Sequence, residues 1–83
     1  MKIIKINSLG CPSCIIMNKV FNRVKENYNF EYEELDYDFD DIEKYNAGNV
    51  LPVYIFYNEK NEEITRLCGE HDILEFEKIL GEF

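Results

Sequence analysis

Ile3-Ile4-Lys5-Ile6-Asn7-Ser8-Leu9-Gly10-Cys11-Pro12-Ser13-Cys14 is the stretch on which the reading of this chain turns. Its first half is short, apolar and β-branched, the pattern of a buried strand. Ser8-Leu9-Gly10 reads as a loop, and Pro12 suits the first position of a helix that Cys11 would cap. Apolar residues follow at Met17, Val20, Phe21, Val24 and Tyr28, and this spacing predicts a helix over roughly 12–27. The two cysteines therefore stand where a strand hands over to a helix. Unpaired backbone N–H groups and the helix dipole favour an anion there, so Cys11 is placed to be a reactive thiolate. Cys14 lies one turn further in, within reach of a mixed disulfide on Cys11. A C-x-x-C pair in such a setting reads as a redox pair; half of a zinc site and two buried structural cysteines are the alternatives.

Downstream, Phe30 to Asp38 reads as a second strand. Its apolar phase shifts from Phe30 and Tyr32 to Leu35 and Tyr37, which suggests a bulge or a late strand start. Asp40 with Glu43 resembles a capping box for a short helix over roughly 41–47, which Gly48 can end. The run 50–57, Val50-Leu51-Pro52-Val53-Tyr54-Ile55-Phe56-Tyr57, is strongly β-forming with Pro near its start. Asn58 to Asn61 is a turn, and Glu63 to Cys68 returns as a hairpin partner. Asp72 with Glu75 offers a second capping box, and Ile73, Phe76, Ile79 and Leu80 mark a last helix ending near Gly81. The order is β-α-β-α-β-β-α: an α/β fold with a four-stranded mixed sheet flanked by helices, one domain over 1–83.

With 83 residues the chain can bury one modest core, and 46% hydrophobic residues exclude intrinsic disorder. Three cysteines are too few for a disulfide scaffold. The first residues contain no long apolar run, so no signal peptide is expected, and no stretch approaches a membrane span. The expectation is a cytoplasmic protein with reduced thiols. The net charge of −8 argues against binding nucleic acid or an anionic membrane. That charge is asymmetric: residues 1–25 hold Lys2, Lys5, Lys19, Arg23 and Lys25 and no acid, while all 17 acids lie in 26–83.

Along nearly its whole length the sequence resembles the thioredoxin/glutaredoxin superfamily, and its small glutaredoxin-like members in particular. The matches are Cys11-Pro12-Ser13-Cys14 after the first strand, Val50-Leu51-Pro52 before a hydrophobic strand, the hairpin Asn61 to Gly69, and a C-terminal amphipathic helix. The resemblance implies a thioredoxin fold in which Pro52 is cis and faces the cysteine pair. It further implies that the Leu51 backbone is open to a substrate strand and that Gly69 lines the same groove. Pro12 directly after the first cysteine is similar to glutaredoxins. Cys68-Gly69-Glu70-His71-Asp72-Ile73 partly resembles their glutathione-binding stretch, but Cys68 stands where the first glycine belongs, and so acidic a chain is a poor host for an anionic tripeptide. The first strand lacks the buried acid that assists proton transfer in thioredoxins. Its charged member is Lys5, read as pointing to solvent; turned inward, it would favour a thiolate.

Cys68 and His71 form a C-x-x-H spacing that, with Cys11 and Cys14, would complete a Cys₃His zinc site; a strand-end cysteine and a surface histidine are the plainer reading. Asp36-x-Asp38-x-Asp40 starts like a calcium loop, but the pattern fails at Asp41 and Ala47. The function expected is therefore thiol–disulfide exchange that reduces disulfides of protein partners. Cys11 and Cys14 are catalytic, and Pro12, Ser13, Leu51, Pro52, Cys68 and Gly69 contact the substrate. No metal or cofactor is expected. The chain is expected to act as a monomer, recycled by a reductase or a low-molecular-weight thiol. The alternative is a metal or iron–sulfur carrier with Cys11, Cys14 and Cys68 as ligands.

Overall fold

In the computed structural model, which describes residues 1–82, the elements are β1 (Lys2–Asn7), α1 (Pro12–Asn27), β2 (Glu31–Asp36), a 3₁₀ turn (Glu43–Tyr45), β3 (Val53–Tyr57), β4 (Glu63–Cys68) and α2 (Ile73–Glu82). The sheet order is β2-β1-β3-β4. β1 runs parallel to β2 and antiparallel to β3, and β4 is antiparallel to β3. This is the predicted mixed four-stranded sheet. β1 and β3 lie at its centre, which is why Ile3, Ile4, Ile6 and Val53 to Phe56 are buried on both faces.

Two apolar layers sandwich the sheet. On one face Cys14, Met17, Phe21 and Val24, spaced three and four apart, form the buried stripe of α1. Met17, Phe21 and Val24 pack with Ile3, Tyr54, Phe56 and with Phe76 of α2. Phe21 is the hub, with ring centroids 5.2–6.4 Å from Tyr54, Tyr32, Phe30 and Phe76. On the opposite face Ile4, Ile6, Val53 and Ile55 are covered by Leu35, Tyr37, Ile42, Tyr45 and Leu51.

That second cover is a loop with a single helical turn, where a helix over 41–47 was expected. Asp40 does not act as its cap: its carboxylate accepts from the Asp36 N–H at 2.7 Å. Asn46 takes a left-handed conformation (φ 51°) and stops the turn after Tyr45. The apolar phase shift in 30–38 also has a different cause from a bulge. β2 pairs with β1 in unbroken register, and as an edge strand it serves both layers in turn. Phe30 packs into the α1 layer and Tyr32 meets Phe21 edge to face, whereas Leu35 and Tyr37 join the other layer. The register irregularity lies instead at Phe56/Tyr57, beside the hairpin turn. β3 begins at Val53 rather than Val50, and α2 runs through Gly81 to Glu82.

Candidate redox site

The site forms where β1 gives way to α1. Pro12 occupies the first helical position and Cys11 is the N-cap, with extended backbone (φ −101°, ψ 108°). The first N–H groups of a helix lack partners within it. Here the Cys14 N–H lies 3.2 Å from the Cys11 sulfur, and the Ile15 N–H donates to the Cys11 carbonyl at 3.3 Å. A donor so aimed suits a sulfur that carries negative charge. Cys11 is half-buried, whereas Cys14 is only 2% exposed beneath it. Burial, with the neighbouring Cys11 adding to it, pushes the Cys14 thiol up to about 11; a Ser8 backbone hydrogen bond and the charge of Lys5 pull the other way.

Two links tie the helix start to the loop after β4. Ser13 Oγ donates to Glu70 at 3.0 Å, and the His71 N–H donates to Met17 Sδ at 3.3 Å. The His71 ring is itself held between the Cys68 carbonyl and Glu75. In the same loop the Gly69 N–H donates to the Pro52 carbonyl at 2.9 Å, and the Leu51–Pro52 peptide is cis. Gly69 has φ +83°, and a Cβ there would stand 3.2 Å from Val50 Cγ1. Pro12, Ser13, Pro52 and Gly69 thus belong to one connected end of the sheet, with Leu51 half-buried beside them.

Cys68 also ends at this edge, paired with Val53, but strand alternation turns its exposed side chain to the face of Val53, Ile55 and Arg66, away from the α1 layer. Arg66 marks that face by donating to the Tyr45 carbonyl at 3.0 Å. Among the described residues no three His, Cys, Asp or Glu side chains converge as a metal-holding group.

Several residues at the site escaped the sequence reading. Leu9, Ile15, Ile16 and Val50 are exposed apolar side chains at this end of the molecule. The available signal was Ile15-Ile16, which falls outside the Met17–Phe21–Val24 stripe and so had to face solvent. Glu70 was passed over as one acid among many. The largest correction concerns Lys5, which does not point to solvent. Alternation with Ile4 and Ile6 turns it under α1, where it is 3% exposed. Its ammonium donates to Asn18 Oδ1 at 2.5 Å and to Glu34 Oε1 at 3.1 Å and lies 5.1 Å from the centre of the Phe21 ring. Beside it in the sheet, Tyr54 is fully buried and its hydroxyl has no hydrogen-bond partner among the described residues. Burial, with Cys14 and Glu34 nearby, pushes that phenol up.

A surface hollow of about 540 Å³ lined by Met1, Phe30 and Asn58 lies at the other end of β1, away from the thiols. The dithiol end instead presents an open, apolar-rimmed surface.

No protein-family model matches the sequence, and no curated protein matches it. Solved structures do. A reduced thioredoxin pre-protein from Schistosoma mansoni superposes with a TM-score of 0.84 at 20% identity, over 99% of this chain and 77% of its own. Thioredoxin-2 of a malaria parasite gives 0.88 at 12% identity, over 99% and 82%. The oxidised mitochondrial thioredoxin 3 of Saccharomyces cerevisiae gives 0.84 at 18% identity, over 99% and 77%. The chain has the thioredoxin fold.

Proposed function

We propose that this protein is a thiol–disulfide oxidoreductase that reduces disulfides of protein partners through the Cys11/Cys14 dithiol. The observation that carries the reading is the unequal placement of two thiols on one helix start. Cys11 is accessible and faces a backbone donor, while Cys14 is buried directly beneath. The likeness to thioredoxin structures supports a redox role in general. The partner class is inferred from the open, apolar rim formed by Leu9, Ile15 and Val50.

The Cys11 thiolate attacks one sulfur of the substrate disulfide. A Cys11–substrate disulfide forms, and the first substrate sulfur leaves as a thiolate that takes up a proton. Cys14 then loses its proton and attacks the Cys11 sulfur. The Cys11–Cys14 bond forms, the Cys11–substrate bond breaks, and the second substrate thiolate is protonated. Two electrons and two protons pass from the dithiol to the substrate. Pro12, Ser13, Leu51, Pro52 and Gly69 border the place where a substrate segment would lie; the Cys68 side chain, expected to join them, is turned to the other face of the sheet. A reductase or a low-molecular-weight thiol in a reducing compartment returns the pair to the dithiol.

The test is turnover of a disulfide-linked protein with dithiothreitol as the source of electrons. Wild type should accelerate reduction, and Cys11→Ser should abolish the acceleration. Equal rates with and without wild-type protein would refute the reading. If the protein purified with stoichiometric metal that Cys11→Ser lost, the carrier alternative would take its place.

A further inference from the structure

Lys5 and Tyr54 are buried polar groups that the two-thiol reaction, as written above, leaves idle. Cys14 and Asn18 are four residues apart on α1, so their side chains are neighbours on one helix face, with about 5–6 Å between Cβ atoms. The ammonium of Lys5 is fixed to Asn18 Oδ1 and therefore sits at that face, one turn along from the buried thiol, on which its charge acts. Both side chains are almost wholly out of water. Charges interact more strongly in such a setting than at the surface.

We infer that Lys5 is a positioning residue for the resolving step: anchored by Asn18 and Glu34, its buried ammonium stabilises the negative charge that Cys14 must carry to attack Cys11. The inference rests on the two-thiol reading. The opposing effect is desolvation, the largest cause that pushes the Cys14 thiol up, followed by the hydrogen bond to Cys11. In the mixed disulfide Cys11 carries neither proton nor charge, so its share disappears. Burial is then opposed by Lys5 and the Ser8 backbone. The other titratable groups packed about Lys5 and the thiol are Tyr54 on β3 and Glu34 on β2. Glu34 holds the Lys5 ammonium, and half of its side chain is in water, which screens its charge. Burial keeps Tyr54 protonated, with a hydroxyl unpaired among the described residues. The proton leaving Cys14 goes to solvent.

The experiment reads Cys14 by itself, in Cys11→Ser/Cys68→Ala protein, as the rate of iodoacetamide alkylation against pH. Adding Lys5→Met should raise the midpoint of the profile by about one unit, a tenfold slower reaction at any pH well below it. Lys5→Arg should restore most of the shift, because charge is retained. Lys5→Gln, which keeps a polar end beside Asn18 but no charge, should raise the midpoint likewise and provides the test if Lys5→Met does not fold. An unmoved or lowered midpoint in folded Lys5→Met or Lys5→Gln would overturn the inference. The profile requires no turnover. Failure of wild type to reduce disulfides would thus refute the function proposed above and leave this measurement readable.

Discussion

At the scale of the residue, Cys11 and Cys14 carry the same functional group in opposite settings. With burial pushing its thiol up to about 11, Cys14 is almost wholly neutral at pH 8. We predict that iodoacetamide at pH 8 labels Cys11 and Cys68 while Cys14 stays unmodified, as read by peptide mass spectrometry. Cys14 labelled at the rate of Cys11 would contradict the burial. The same shift links to stability. Folding favours the neutral thiol, so its contribution is complete below the unfolded-state value near 9 and is lost as pH rises toward 11. Unfolding midpoints in urea should therefore fall between pH 9 and 11 in wild type and fall less in Cys14→Ala. Gly69 is the second single residue with a sharp consequence. At φ +83° a side chain costs about 1–2 kcal/mol, and the Cβ would press on Val50. Gly69→Ala should lose about that much stability in urea melts; an unchanged midpoint would show that the loop yields freely.

At the scale of the element, α1 was legible almost to the residue, because three independent signals agree along it. Pro12 sets its start, Cys11 caps it, and the Met17–Phe21–Val24 spacing sets its buried face. The Cys11/Cys14 pair was readable for the same reason, since the pair is part of the cap. Phe21 tests the element: its ring meets four other aromatic rings at no solvent exposure. Phe21→Ala should cost about 3–5 kcal/mol, a large part of the stability of a domain this small. A loss under 1 kcal/mol in urea melts would contradict the packing described. Segment 41–47 was misread because a capping box is a local pattern, and Asp40 spends its carboxylate on Asp36 instead. Lys5 was misread because a charged residue in a strand is assigned to solvent unless its partners are known. Its partners Asn18 and Glu34 come from two other elements, 13 and 29 residues away.

At the scale of the molecule, order and spacing of motifs carried the fold, while the lining of the site depended on which ends of the sheet meet. Only tertiary structure brings Glu70 to Ser13 and His71 to Met17. The net charge of −8 is likewise a whole-molecule property. Ion pairs are few among the described residues, and the edge strand β2 alone carries Glu31, Glu33 and Glu34. Self-repulsion should thus outweigh attraction, and raising salt from about 0.01 M to about 0.5 M should raise the melting temperature as screening shortens. A fall would mean that the ion pairs dominate.

If Cys11 attacks and Cys14 resolves, Cys14→Ser protein mixed with a disulfide-linked protein should hold a stable mixed disulfide on Cys11, mapped by mass spectrometry, that is absent from Cys11→Ser and cleared within one turnover in wild type. An adduct on Cys68 alone, or none on Cys11, would assign the attack to another thiol.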